Sequence, residues 1–127
     1  MNEDIILYLP WPPTVNSYYG TARSGAKFIS KKGRVFRDAL EEAIHEQVPG
    51  LKLDEALFLD VVLYPPDKRR RDLDNYMKAL LDACTIAGLW DDDSLIDQLH
   101  IYRGERVVDG MVQIEITDAG PVRKRNM

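Results

Sequence analysis

The stretch that most constrains this chain is residues 56–64, ALFLDVVLY, which runs into Pro65-Pro66, a charged block and then a segment of helical spacing. The run is β-branched and aromatic in character and is bounded by acids and prolines, so it reads as a mostly buried strand. From Leu73 to Ala87 the apolar residues fall at 73, 76, 77, 80, 81, 84 and 87, one face of a helix, and Gly88 is a natural stop. A buried strand that feeds an amphipathic helix across a short charged connection implies a helix packed back on its own sheet.

The flanking sequence extends that unit. Ile5 to Leu9 reads as a strand ended by Pro10-Trp11-Pro12-Pro13, since proline supplies no ladder donor. Asn16 to Gly25 is rich in Gly, Ser and Tyr without an apolar period and is expected to be an exposed loop that touches substrate. Ser30 is a suitable N-cap for a helix whose apolar face is Val35, Phe36, Ala39, Leu40, Ala43 and Ile44, ending near Pro49-Gly50. Residues 95–103 and 111–117 read as two strands joined as a hairpin through Asp109-Gly110. The expectation is an α/β (α+β) fold of order β-α-β-α-β-β: a single mixed sheet of about four strands with two helices on one face. At 127 residues and 45% hydrophobic composition the chain supports one core, so a single domain over 1–127 is expected, with a basic, frayed tail at 121–127.

The formal charge of -4 argues against a nucleic-acid partner only until its distribution is considered. No acid occurs between Ile5 and Arg37, whereas Arg23, Lys27, Lys31, Lys32, Arg34 and Arg37 do. Lys68-Arg69-Arg70-Arg71 adds a second basic block, and the acids gather at 38–60 and from Asp72 onward. Such segregation suits a chain with one surface turned to a polyanion, although solvated faces would give the same pattern. The acidic start and short first apolar run do not resemble a signal peptide, and no stretch reaches the ~18 apolar residues of a membrane span. Cys84 lacks a disulfide partner and sits among apolar residues, which suits a buried thiol in a reducing cytoplasm.

Chemistry concentrates between Pro66 and Asp93. Asp72 and Asp74 fall at the strand-to-helix junction, where two carboxylates two residues apart can point to one side, or where either can cap the helix. Asp91-Asp92-Asp93 follows the same helix; three adjacent acids are either freely solvated or a ligand set for a hard cation such as Mg²⁺. The helix between the clusters is about 20 Å long, so they meet only if the loop after it folds back. Lys78 lies one turn after Asp74 and one before Asp82, either as a surface ladder or as an ammonium aimed at the acidic site. His45 and His100 have no ligand-spaced partners for zinc, and no P-loop, G-x-S-x-G or Cys-His pairing appears.

These residues, LPWPP with Asn16 and Tyr18-Tyr19, PPDKRRRDLDN with Lys78 and Asp82, and AGLWDDD, resemble in order and spacing the signatures of the RusA family of Holliday-junction resolvases. The resemblance implies a homodimer that binds Mg²⁺ and places paired nicks across a four-way DNA junction, with no organic cofactor and no membrane partner. It puts catalytic and metal-binding roles on Asp72, Asp74 and Asp93, a catalytic role on Lys78, phosphate contact on Arg71, and an assisting metal role on Asp92. Asp91 departs from the pattern. Arg69, Arg70 and Arg71, with Lys27, Lys31, Lys32 and Arg34, are expected to hold the DNA backbone. A non-catalytic DNA-binding or phage regulatory protein on the same fold is the alternative. A phosphoryl-transfer enzyme acting on a small substrate ranks last, because it leaves the tetrabasic block unexplained.

Overall fold

The computed structural model describes residues 4 to 118, so the basic tail expected at 121–127 lies outside the described residues. The apolar run before Pro65-Pro66 forms β4, Leu57–Tyr64, an interior strand of a four-stranded sheet. Its alternation explains its place: Leu57, Leu59, Val61 and Leu63 are buried, and the residues between them are not. β1 (Ile5–Leu9) and β6 (Met111–Asp118) add Leu7, Leu9, Val112, Ile114 and Ile116 to the same apolar face. β5 (Ile96–Arg103) forms the outer edge, giving the order β1-β6-β4-β5.

Two helices contribute to the core on that face. α2, Lys31–Gln47, is capped by Ser30, whose Oγ accepts from the Gly33 N–H at 3.0 Å, and it buries Phe36, Leu40 and Ile44. α3, Met77–Ile86, buries Met77, Ala79, Leu80, Ala83 and Cys84. Gly88 stops α3 at φ +84°, a left-handed conformation that glycine adopts without a side-chain penalty. The mixed sheet with helices is therefore as expected from the sequence.

Three local expectations are corrected. β5 and β6 are not a hairpin: β5 runs parallel to β4, while β6 inserts antiparallel between β1 and β4. The reason is the crossover through α3, which returns the chain to the start of β4 so that β5 leaves in the same direction. Asp109 and Gly110 do form a left-handed turn, at φ 68° and 75°, but it leads into β6 from a loop. The segment after β1 is not all loop either. Following a single turn, α1 (Val15–Tyr18), a small hairpin pairs β2 (Tyr19–Thr21) with β3 (Lys27–Ile29). Lastly, the second helix begins as a 3-10 turn, Leu73–Tyr76, before α3.

The other sheet face is less covered. Ile6, Tyr8 and Tyr102 are about half exposed there, and Asp60 sits in register between Glu115 and His100. A hydrogen bond shared with Asp4, then burial and the charges of Asp4 and Asp60, raise the Glu115 carboxyl above its ordinary range. Acid thus accumulates on this open face.

Candidate functional site

The basic block folds as an arc rather than a run. β4 ends at Tyr64, and the charged connection beyond it turns so that Lys68, Arg69, Arg70 and Arg71 border a cleft of about 770 Å³ with Asp72 and Asn75. Arg103 joins from the end of β5, its Nη2 donating to the Arg71 carbonyl at 2.8 Å. Sequence reasoning missed Arg103, since a lone cation in a strand carries no signal until the β4–β5 pairing brings that strand end to the loop. Five cations around one carboxylate form a strongly electropositive concavity.

The arginines differ in freedom. Arg70 is exposed, and Arg69 is exposed with its Nε 3.4 Å from Asp67 Oδ2. Arg71 is turned inward, its side chain 7% exposed, with Nη1 2.7 Å from Asp67 Oδ1 and its guanidinium 5.8 Å from the centre of the Trp11 ring. Hydrogen bonds from Arg71 and from the Arg69 backbone N–H hold the Asp67 carboxyl well below the usual carboxylate range. Lys31 and Lys32, in the first turn of α2, are exposed and face a second, adjoining cleft. Arg34 donates to the Ile29 carbonyl at 2.9 Å, and Lys27 is exposed at the start of β3.

Asp72 and Asp74 both lie exposed at the strand-to-helix junction. Asp72 is extended at φ -86°, ψ 125°, and its side chain makes no capping hydrogen bond; the start of α3 at Tyr76 has no side-chain cap either. Capping therefore does not account for Asp72. Lys78 is exposed on α3, and Asp82, one turn on, is drawn away from it by Arg37 Nη2 at 2.8 Å and by the Tyr18 hydroxyl. The ladder read from spacing is thus absent at its second rung.

The aspartate triple separates into three environments. Asp91 lies 3.3 Å from Lys52 Nζ, and Asp92 accepts from Ser94 Oγ at 3.0 Å. Asp93 is partly buried; its Oδ1 accepts from the Thr85 hydroxyl and from Trp90 Nε1 at 3.2 Å, at the far end of α3. The loop after α3 does not fold back. It pairs Leu53 with Trp90 and enters β5 at the start of the sheet, whereas Asp72 stands near the end. The ten residues of α3 alone span about 15 Å. Asp93 is consequently not brought to Asp72 and Asp74 within one chain, and among the described residues no three His, Cys, Asp or Glu side chains gather to hold a metal.

An exposed carboxylate in an arc of cations, carried on the junction between a sheet strand and its crossover helix, gives this α/β protein an electropositive cleft whose charge suits a polyanion. The family model described as Endodeoxyribonuclease RusA matches residues 10–117. Enterobacteria phage HK97 has a crossover junction endodeoxyribonuclease rusA that is 39% identical over 114 residues, covering 87% of this chain and 91% of that protein. The crossover junction endodeoxyribonucleases RusA of Shigella sonnei and of Escherichia coli K12 are 36% and 35% identical over 112 residues, each covering 88% of this chain and 92% of the relative. The chain belongs to the RusA endodeoxyribonuclease family and is a nuclease. Among the described residues no helix is long and apolar enough to cross a membrane.

Proposed function

We propose that this nuclease resolves four-way DNA junctions as a homodimer, using Mg²⁺ to place one nick in each of two opposed strands. The observation that carries the reading is the cationic cleft around Asp72, in a chain whose relatives are crossover junction endodeoxyribonucleases. Lys68, Arg69, Arg70 and Arg103 hold the backbone by charge, a mode that reads shape rather than base sequence.

Asp72 and Asp74 supply the hard oxygen donors that magnesium takes, and a Mg²⁺ site commonly needs only one or two protein carboxylates. When bound, the ion lowers the pKa of an attacking water and polarises the phosphate. Lys78, exposed and held by no ion pair among the described residues, brings an ammonium from the first turn of α3 to offset charge developing on phosphorus.

The separation of Asp93 from Asp72 supports a dimer. Among the described residues β5 pairs only with β4, so its eight residues leave one long edge unpaired there, which natural sheets normally cover or pair. A two-fold axis beside β5 sets the start of one copy's strand against the end of the other's. Asp93 of one copy then faces Asp72 and Asp74 of the second, with Asp92 beside it. Two such sites related by the same axis match the symmetry of a four-way junction.

The test is a labelled synthetic four-way junction and a matched linear duplex, each incubated with Mg²⁺ or with EDTA and resolved on a denaturing gel. Paired, Mg²⁺-dependent nicks confined to the junction are expected. Binding without cutting, or equal cutting of the duplex, overturns the reading.

A further inference from the structure

Beside the cationic cleft lies a second one, of about 670 Å³, between the Pro10–Pro13 segment and the start of α2. Its chemistry differs from that of its neighbour. Trp11, Phe36 and Pro66 contribute apolar surface, and Val35 stands 61% exposed at its margin although it is β-branched and apolar. Lys31, Lys32 and Arg69 bring cations, and no acid lines the cleft. The Trp11 ring is held in place: Tyr76 packs on it at 4.9 Å, Arg71 lies over it, and Gly110 approaches so closely that a β-carbon there would sit 2.8 Å from the indole. The two clefts share Thr14, Arg69, Arg71 and Tyr76, so a strand held against Asp72 passes the mouth of the second.

We propose that this cleft receives a nucleobase unstacked at the branch point of the junction, with Lys31 and Lys32 holding its phosphate. The inference rests on the junction reading above. Aromatic and apolar walls inside a cationic rim are the surface that takes single nucleotides, because every base offers a π-face whatever its sequence. The volume lies within the range of about 300–1,000 Å³ common for small-ligand sites. A base at a branch point has lost part of its stacking, so extruding it costs less than the few kcal/mol required inside a duplex. The fixed indole supplies its surface without ordering cost. Positioning by the captured base would set which phosphate lies over Asp72, making Trp11 and Val35 determinants of cleavage position.

The test uses four-way junctions carrying 2-aminopurine either at the branch point or in the middle of an arm, mixed with the full-length protein in EDTA, with binding followed in parallel by gel shift. A several-fold change in fluorescence at a branch-point position, a fall where the base stacks on the indole, and none in the arm, is expected. Ala39→Leu, at an exposed position lining the cleft, adds apolar bulk without a new charge or ring and should remove the change at protein concentrations that keep the junction bound. Trp11→Ala should weaken junction binding by roughly 5- to 150-fold, the loss of one stacked base. Bound junction with no change at any branch-point position, or a change untouched by Ala39→Leu, overturns the cleft assignment and leaves the resolvase reading intact. Absence of any preference for junction over duplex overturns both.

Discussion

Arg37 Nη2 lies 2.8 Å from Asp82 Oδ2, tying α2 to α3 across the helical layer. Arg37 Nε also donates to the Tyr18 hydroxyl at 2.7 Å, and that hydroxyl donates to Asp82. Burial and the bond to Asp82 push the Tyr18 phenol above its usual range. One carboxylate thus satisfies a buried tyrosine and a half-buried arginine from two other elements.

Asp82→Ala should therefore cost about 1–3 kcal/mol, the penalty of leaving buried polar partners unsatisfied. Lys78→Ala, one turn away and exposed, should stay within about 0.5 kcal/mol. Urea unfolding of both variants checks the contrast; equal losses would show that the spacing-based ladder, not the Arg37 tie, holds this face.

Asp74→Asn and Asp93→Asn should each bind the junction and fail to cut it. Mixing them, with time for subunit exchange, should restore cleavage, because a mixed dimer then has one site with Asp74 from one copy and Asp93 from the other. A mixture as inactive as its components in the junction gel would mean that all ligands come from one chain.

Gly33→Ala should destabilise, against the ordinary preference for alanine inside a helix. A β-carbon there would lie 2.5 Å from the Tyr18 carbonyl oxygen and 2.8 Å from Ile29, where α2 packs on α1 and β3. The expected loss, measured by urea unfolding, is about 1–3 kcal/mol, as for other overpacked sites. A more stable variant would show that this contact has room to relax.

The Asp67 carboxyl is held below its unfolded range by Arg71 and by the Arg69 N–H. Its contribution to stability is fully present above the unfolded value of about 3.9, and is lost as pH falls from there toward the folded value. Asp67→Asn should flatten the acid limb of a stability profile taken by urea unfolding between about pH 7 and about pH 3. An acid limb identical to that of the parent would rule out Asp67 as its source.

Much of the fold was legible because it follows from period and punctuation. The alternation of Leu57, Leu59, Val61 and Leu63 dictates a strand with one buried face, Ser30 caps α2 as its residue type predicts, and Gly88 ends α3 where a left-handed residue is needed. The RRRDLDN block and the triple aspartate were visible as charge clusters for the same local reason. Strand pairing was not legible. Asp109-Gly110 turns as its composition requires, but a turn does not name the strands that pair across it; the α3 crossover decided that β5 lies parallel on β4. That same choice brought Arg103 beside Arg71 and left Asp93 at the opposite end of α3 from Asp74. Residue type and spacing fixed which groups carry the chemistry, because propensity, capping and charge are local. Which of them share one cleft depends on contacts between residues distant in the chain, and those exist only once the sheet has closed around its core.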